Sequence, residues 1–293
     1  MRPDTFWPNG MRSAAAFTFD LDAESAVVWG APDNARRMSV ISHQAYGPLV
    51  GVPRILNLLV EHSITATFFV PGFTAERYPE VVREIVAAGH ELGHHGYVHE
   101  QPSALSRDQQ IAALDRGLDV LAQVAGVRPI GYRAPMWDLS WEMPQLLLER
   151  DFLYDSSLMD SDRPYELAVA STQPASASLV EIPIQWTLDD WEQYCFLPEI
   201  SGSGYIATPD QARALWESEL DGLHAVGGCW VLTNHPFLSG RPGRAASLAR
   251  LMARVVAMPD VWVAPLSDIA RHTRALNLAP RSIQPIDEQE LNS

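Results

Sequence analysis

The chain has 293 residues, 47% hydrophobic and 19% charged. That is enough apolar material for a packed core and too little charge for a disordered chain. Asp and Glu number 36 against 21 Lys and Arg, a formal net charge of −15. Such a surface repels nucleic-acid phosphates and anionic membranes, so neither is expected as a partner. One catalytic domain is expected over residues 1–293, with its core at 14–271 and a tail at 272–293 carrying Asp287, Glu288 and Glu290. The opening residues hold no apolar run of signal-peptide length, and no stretch approaches the ~18 apolar residues of a membrane span. The expectation is a soluble, cytoplasmic protein. Cys195 and Cys229 are too few for a disulfide framework and read as small buried apolar side chains.

In chain order, 14–20 (AAAFTFD) reads as a buried strand ending in acid. Residues 53–61 have helical apolar spacing with Pro53 in the first turn. A strand is expected at 66–70, a helix at 79–88 closed by Gly89, and a short strand at 91–94. Residues 106–125 give the clearest helix. Ser106 and Gln109 form a capping box, Ile111, Leu114, Leu118 and Leu121 make the stripe, and Gly126 follows the end. Strand 130–133, helix 143–150 and strands 154–157 and 179–182 come next. Helix 208–226 opens with a second capping box, Thr208 and Gln211. Strand 229–233, helix 244–257 and strand 261–263 complete the series.

About eight strands alternating with helices predict an α/β fold, a parallel sheet curled into an irregular (β/α) barrel. Reactive groups then belong at the carboxyl ends of the strands. Two stretches, 23–49 and 183–207, interrupt the alternation. The second is rich in aromatics (Trp186, Trp191, Tyr194, Phe196, Tyr205). Loops this long are lids, interfaces or binding loops, or else packed excursions.

Four segments carry reactive side chains. Asp20 and Asp22 follow the first strand, and two residues apart on an extended segment they share a face. Alone, such a pair also suits a solvated turn. His90, His94, His95 and His99 are four of the nine histidines of the chain, within ten residues. His95 and His99 can face one point if the chain turns tightly. His94 points away from His95 on an extended strand, and His90 reads as a helix cap. Two imidazoles and a carboxylate are the donor set of catalytic zinc sites, and a second carboxylate can take a proton from water. Arg133 ends a strand, where it can pair with one of these acids or make a surface salt bridge. His235, in LTNHP, ends another strand, where it can serve as a general acid or as a structural histidine. No G-x-S-x-G elbow, P-loop, G-x-G-x-x-G or H-x-H is present.

The ordered set FTFDLD, HHGYVH, RAPMW and LTNHP resembles the polysaccharide deacetylases (NodB homology, carbohydrate esterase family 4) over residues 14–271. VGVPRILNLL, ATFFVPG, AGHELGHHGYVHE and EIPIQWTLDDW are similar to a signal-less branch. That branch holds a peptidoglycan deacetylase, cyclic imide hydrolases and metal-free allantoinases. The resemblance implies an irregular seven-stranded (β/α) barrel and a metal-dependent hydrolase of carbon–nitrogen bonds. It makes Asp20 the general base and Asp22, His95 and His99 the ligands of a divalent ion, usually Zn2+. It also has Arg133 orient Asp20, the Met136 N–H line the oxyanion site, His235 act as general acid and Asp189 orient His235, with Asp190 as rival. The substrate it implies is a small cyclic imide or ureide, with an N-acetyl sugar as the alternative. The assembly it implies is a homo-oligomer, a tetramer. A non-catalytic binding protein on the same fold is the reading from another class. Two departures stand out. Leu21 separates acids that are adjacent in most deacetylases, and Gly96 replaces the usual Ser or Thr. His99 counts for metal, because branch members without metal lack it.

Overall fold

The computed structural model describes residues 6–169, 177–197 and 205–286. Asp287, Glu288 and Glu290, expected in a solvated tail, lie outside these. Among the described residues the strands are β1 (Ser13–Asp20), β2 (Thr67–Val70), β3 (Glu91–His94), β4 (Gly131–Tyr132), β5 (Tyr154–Asp155), β6 (Tyr165–Ala168), β7 (Ser178–Glu181), β8 (Cys229–Asn234) and β9 (Val261–Val263). They form one sheet in the order β6-β7-β5-β4-β3-β2-β1-β8, with β9 also pairing β1. The path from β7 to β8 is seven parallel strands, and β6 adds antiparallel to β7. The sheet curls into a half-barrel. The chain beyond β7 spans the open side, where Asp189 bridges Thr233 of β8.

Strand periodicity sorts the core into two layers. All eight residues of β1 are buried. Ala15, Phe17 and Phe19 pack outward with Phe68 and Val70 of β2, Trp230 and Leu232 of β8, and Ile55, Leu59 and Leu251 from the surrounding helices. Ala14 and Ala16 point inward, where Phe69, Tyr154, Val180 and Val231 meet Leu266 and Ile269 of the last helix, Leu266–Ala275. Thr18 and Asp20 continue the inward face toward the carboxyl end.

The helices Val52–Glu61, Pro79–Ala87, Arg107–Ala125, Met143–Leu148, Pro209–Val226 and Pro242–Val256 lie close to their expected positions. Both capping boxes form, at Ser106–Gln109 and Thr208–Gln211, and Gly126 and Gly227 end those helices in the left-handed region. Cys195 and Cys229 are buried, and neither forms a disulfide. No helix among the described residues is long and apolar enough to cross a membrane.

Three departures from these expectations stand out. Residues 23–49 are a packed excursion holding Ser25–Val28, Pro32–Arg36 and Met38–Tyr46, with Val27, Asn34, Val40 and Gln44 buried. β6 was not expected, because four residues at a sheet edge carry too short an alternation to read. Leu266–Ala275 is an additional helix. His90 closes the end of Pro79–Ala87 as expected, its backbone N–H donating to Ile85 O at 3.3 Å after the left-handed Gly89, and its Nδ1 accepts the Ala66 N–H ahead of β2 at 3.3 Å.

Candidate metal centre and active site

The carboxyl ends of β1, β3, β4 and β8 converge on one cavity of about 270 Å3. Asp20, Asp22, His95, His99 and His235 line it, together with Asp189, Glu192, Met136, Trp137, Trp186 and Trp191.

Asp22 lies two residues beyond β1, and Leu21 between the acids turns outward into the core beside Phe19. The Leu21 N–H donates to Phe69 O at 2.8 Å, so the strand pairing continues past Asp20. The inserted residue thus keeps both acids facing inward. The Asp22 carbonyl is held by Ser25 Oγ and Thr74 Oγ1, each at 2.6 Å. Its carboxylate is different: both oxygens are buried and neither receives a hydrogen bond. His95 Nε2 lies 3.4 Å from Oδ1 and His99 Nε2 3.6 Å from Oδ2.

His95 and His99 are brought together by a turn, not a helix. Gly96 has φ +73° and His99 φ +61°, and the two rings meet edge to face with centroids 5.0 Å apart. A Cβ on Gly96 would sit 2.9 Å from Glu100 Oε2 and 3.0 Å from Pro135 Cγ. The backbone conformation therefore favours glycine there, and a side chain would have to displace the end of Glu100. His95 Nδ1–H donates to the Arg133 carbonyl at 2.7 Å, which leaves the Nε2 lone pair facing Asp22. Burial pushes the His95 imidazolium down to about 3, against the opposing charge of Asp22. The ring is neutral, as a ligand must be.

These residues fit a divalent ion. Ligand atoms at ~2.0–2.1 Å around a tetrahedral ion stand about 3.4 Å apart, close to the two spacings seen. The three donor atoms lie within 4.8 Å of one another. An anionic carboxylate with no donor, buried against two neutral imidazoles, is costly unless a cation completes it. Asp189, Asp190 and His235 form a second group of metal-ligand type. There the carboxylates are already engaged by N–H and O–H donors, so that group reads as a hydrogen-bond network.

Asp20 is held by Arg133, whose side chain is wholly buried. Nη1 donates to Asp20 Oδ1 at 2.8 Å and to Thr18 Oγ1 at 2.9 Å. Nε and Nη2 donate to Ser156 O and Oγ, each at 3.1 Å, and the guanidinium lies 4.3 Å from the Phe69 ring centroid. The contact to Asp20 is a single bond, not a fork, and not a surface salt bridge. Asp20 Oδ2 lies 4.0 Å from His95 Nε2.

His235 Nε2 lies 3.5 Å from Asp22 Oδ2. Its Nδ1–H donates to Asp190 Oδ1 at 2.7 Å, and its backbone N–H to the same oxygen at 2.8 Å. Ser239 Oγ donates to Asp190 Oδ2. Asp189, the residue expected to orient His235, is 3.5 Å from Nδ1 and instead accepts the Trp191 N–H at 2.8 Å, capping Asp190–Tyr194. The hydrogen bond therefore belongs to Asp190. Chain direction decides this: Asp189 bridges β8, and Asp190 begins the helix that faces His235. Burial pulls the His235 pKa down, but the charges of Asp189 and Asp22 and the bond to Asp190 outweigh it and lift it to about 10. Burial also pushes Asp189 up, to about 8. A proton on Asp189 removes its charge from His235, whereas the Asp190 contact persists and keeps His235 raised.

Met136 and Trp137 have φ +59° and +54° in a one-turn 3-10 helix, Pro135–Trp137. Met136 is 60% exposed at the mouth. Trp137 stacks on Trp186, centroids 4.3 Å apart at 23°. Trp186, Trp191 and Glu192 had no individual signal beyond the aromatic content of 183–207. Part of that stretch, 198–204, lies outside the described residues.

A model of the family Polysaccharide deacetylase matches residues 45–149. The chain is 32% identical over 250 residues to the peptidoglycan deacetylase of Helicobacter pylori, covering 78% of this chain and 84% of that one. A Mycobacterium smegmatis structure assigned to the polysaccharide deacetylases superposes with TM-score 0.93 at 56% identity, covering 96% of each chain. The Puue allantoinase superposes with TM-score 0.79 at 26% identity, covering 94% of each. With the half-barrel fold and a relative matched over most of its length, the chain belongs to the polysaccharide deacetylase family of amide-cleaving hydrolases.

Proposed function

We propose that this hydrolase opens a small cyclic imide or ureide, using Asp20 as base, His235 as acid and an ion held by Asp22, His95 and His99. The observation that carries the reading is the donor-free Asp22 carboxylate at the floor of a cavity of about 270 Å3. That volume is below the ~300–1,000 Å3 of common ligand pockets and suits one small ring. The allantoinase neighbour supports it. A divalent ion, zinc by its donor set, supplies Lewis acidity to the carbonyl when bound.

The chain's own groups do the rest. Asp20, fixed by Arg133, takes a proton from the attacking water. The new C–O bond forms first and moves charge onto the carbonyl oxygen; the C=O bond is then restored as the ring C–N bond breaks, and the departing nitrogen takes its proton from His235. Asp190 holds the His235 ring so that Nε2 faces the reacting atoms. The Met136 N–H is the proposed donor to the developing oxyanion, with the strained turn setting its position. The aromatic wall excludes water.

Similarity to a peptidoglycan deacetylase favours a second reading, removal of acetate from an N-acetyl sugar. The test runs succinimide, hydantoin, allantoin and N-acetylglucosamine oligomers in parallel, scoring ring opening by chromatography and acetate by coupled assay. Ring opening is expected, and acetate release alone would select the second reading. Asp20→Asn is expected to keep about one ion per chain and to lose ~10²–10⁴-fold in turnover. Near-full activity in that variant would remove Asp20 as the base.

A further inference from the structure

Arg133 and Ala134 follow β4, and three parts of the site hang on them. The Arg133 carbonyl accepts the His95 Nδ1–H, its guanidinium holds Asp20, and Ala134 opens the turn that presents the Met136 N–H. All three are tied to the chain leaving β5. Ser156 O and Oγ accept from Arg133 Nε and Nη2, and Ser157 Oγ accepts the Ala134 N–H at 2.9 Å. The Ser157 hydroxyl in turn donates to Asp155 Oδ1 at 2.8 Å. Glu181, paired with Asp155 across β5 and β7, accepts the Ser157 and Leu158 N–H groups on Oε1 at 3.1 and 2.9 Å. Asp155, Ser156 and Glu181 are wholly buried, and Ser157 nearly so.

Two buried carboxyl groups in contact cannot both ionise without a large penalty. Asp155 Oδ2 and Glu181 Oε2 are offered no other donor, so one proton, on Glu181, forms the bond between them. The joined pair then presents one acceptor to the Ser157 hydroxyl and another to two backbone N–H groups, which fixes the end of β5 from both sides. Neither acid lines the cavity, so neither reaches the reacting atoms. Their effect on the chemistry passes through Ser156 and Ser157. Resting on the roles of Met136 and Asp20 in the proposed mechanism, and on neither choice of substrate, we propose that Asp155, Glu181 and Ser157 are positioning residues for the hydrolysis. The buried pair holds the end of β5 so that Ser157 sets the turn carrying the Met136 N–H and Ser156 sets Arg133 against Asp20.

Three variants of the holoenzyme test this, on whichever amide the wild type cleaves, hydantoin or an N-acetylglucosamine oligomer. Ser157→Ala removes the bond to Ala134. It is expected to lower kcat and kcat/KM together by about tenfold or more, with KM and bound ion within about twofold, because the contact it disturbs is one made in the transition state. Backbone amide exchange over residues 134–138 is expected to quicken about tenfold in the same variant. Glu181→Met removes the acceptor for two N–H groups and the proton given to Asp155, and is expected to lose at least as much. Glu181→Gln keeps both an acceptor and a donor, and is expected to hold kcat within about threefold of the wild type and to leave the exchange unchanged. A serine that only stabilises the fold would lower the thermal midpoint of Ser157→Ala and leave 134–138 exchanging as in the wild type. That result overturns the proposal, and it is read without turnover and whether or not Glu181→Met folds. Quickened exchange with kcat unchanged would instead remove the Met136 N–H as the oxyanion donor, and the positioning role with it. Acetate release without ring opening would overturn only the cyclic-amide reading, since the same comparisons then run on acetate.

Discussion

Asp190 and Asp189 are neighbours in sequence with different tasks, and the difference is one of direction. Asp190 accepts the His235 Nδ1–H and backbone N–H, while Asp189 accepts the Trp191 N–H. On the proposed mechanism, Asp190→Asn costs about 10²-fold or more in kcat, because an amide does not stabilise the charged ring and can reverse its tautomer. Asp189→Asn is expected to cost less. Steady-state kinetics on the two variants check this, and the opposite order would return the orienting role to Asp189. That Asp20, Asp22, His95 and His99 meet at one cavity was legible from residue type and position. The partner of His235 was not, because which of two adjacent carboxylates faces an imidazole depends on where the helix begins.

The element that brings the imidazoles together is the turn after β3. Gly96 holds φ +73° there, with Glu100 and Pro135 against the place a side chain would fill. Gly96→Ala is expected to cost ~1–3 kcal/mol of stability and to weaken metal binding by displacing His99. Denaturant unfolding and competition against a chromogenic chelator read the two effects, and an unchanged ion affinity would show that the turn tolerates the methyl group. Elements with strong local signals were legible. The helices opened by Ser106 and Thr208 form with the reciprocal hydrogen bonds their sequences spell. Residues 23–49 were not, because Met38–Tyr46 is placed by contacts distant in sequence, such as His43 against Phe237.

At the scale of the whole molecule, the half-barrel encloses charges that no single element could hold. Arg133 reaches β1, β8 and the end of β5 through Asp20, Thr18, Thr233 and Ser156. Beside it, Asp155 and Glu181 face each other across β5 and β7, both fully buried. One oxygen of each lacks any other donor, and a proton on Glu181 supplies the bond between them. Burial pushes Asp155 up to about 6 and Glu181 well above its usual range. Both acids bind protons more tightly folded than unfolded. Their contribution to stability is therefore complete below the unfolded values of about 4 and fades as pH climbs through about 6 and beyond. The wild type is expected to lose thermal midpoint between pH 5 and pH 8 relative to Glu181→Gln, whose amide keeps a donor without titrating. Parallel midpoint curves for the two proteins would show that the pair does not exchange its proton in that range.

Several properties followed from the chain's order of residues alone. These are the alternation of strands and helices, the capped helix starts, the inward parity of Asp20 and Asp22 around Leu21, and the clustering of reactive side chains at strand ends. Each depends on local period and residue chemistry, which a linear sequence carries in full. The tertiary structure decided the rest: the seven-stranded parallel path, the return of Asp189 onto β8, the choice of Asp190 for His235 and the donor-free carboxylate of Asp22. Those depend on which distant segments meet and what solvent their meeting removes. Burial and the absence of a donor are properties of a place in space, and no position in a sequence records them.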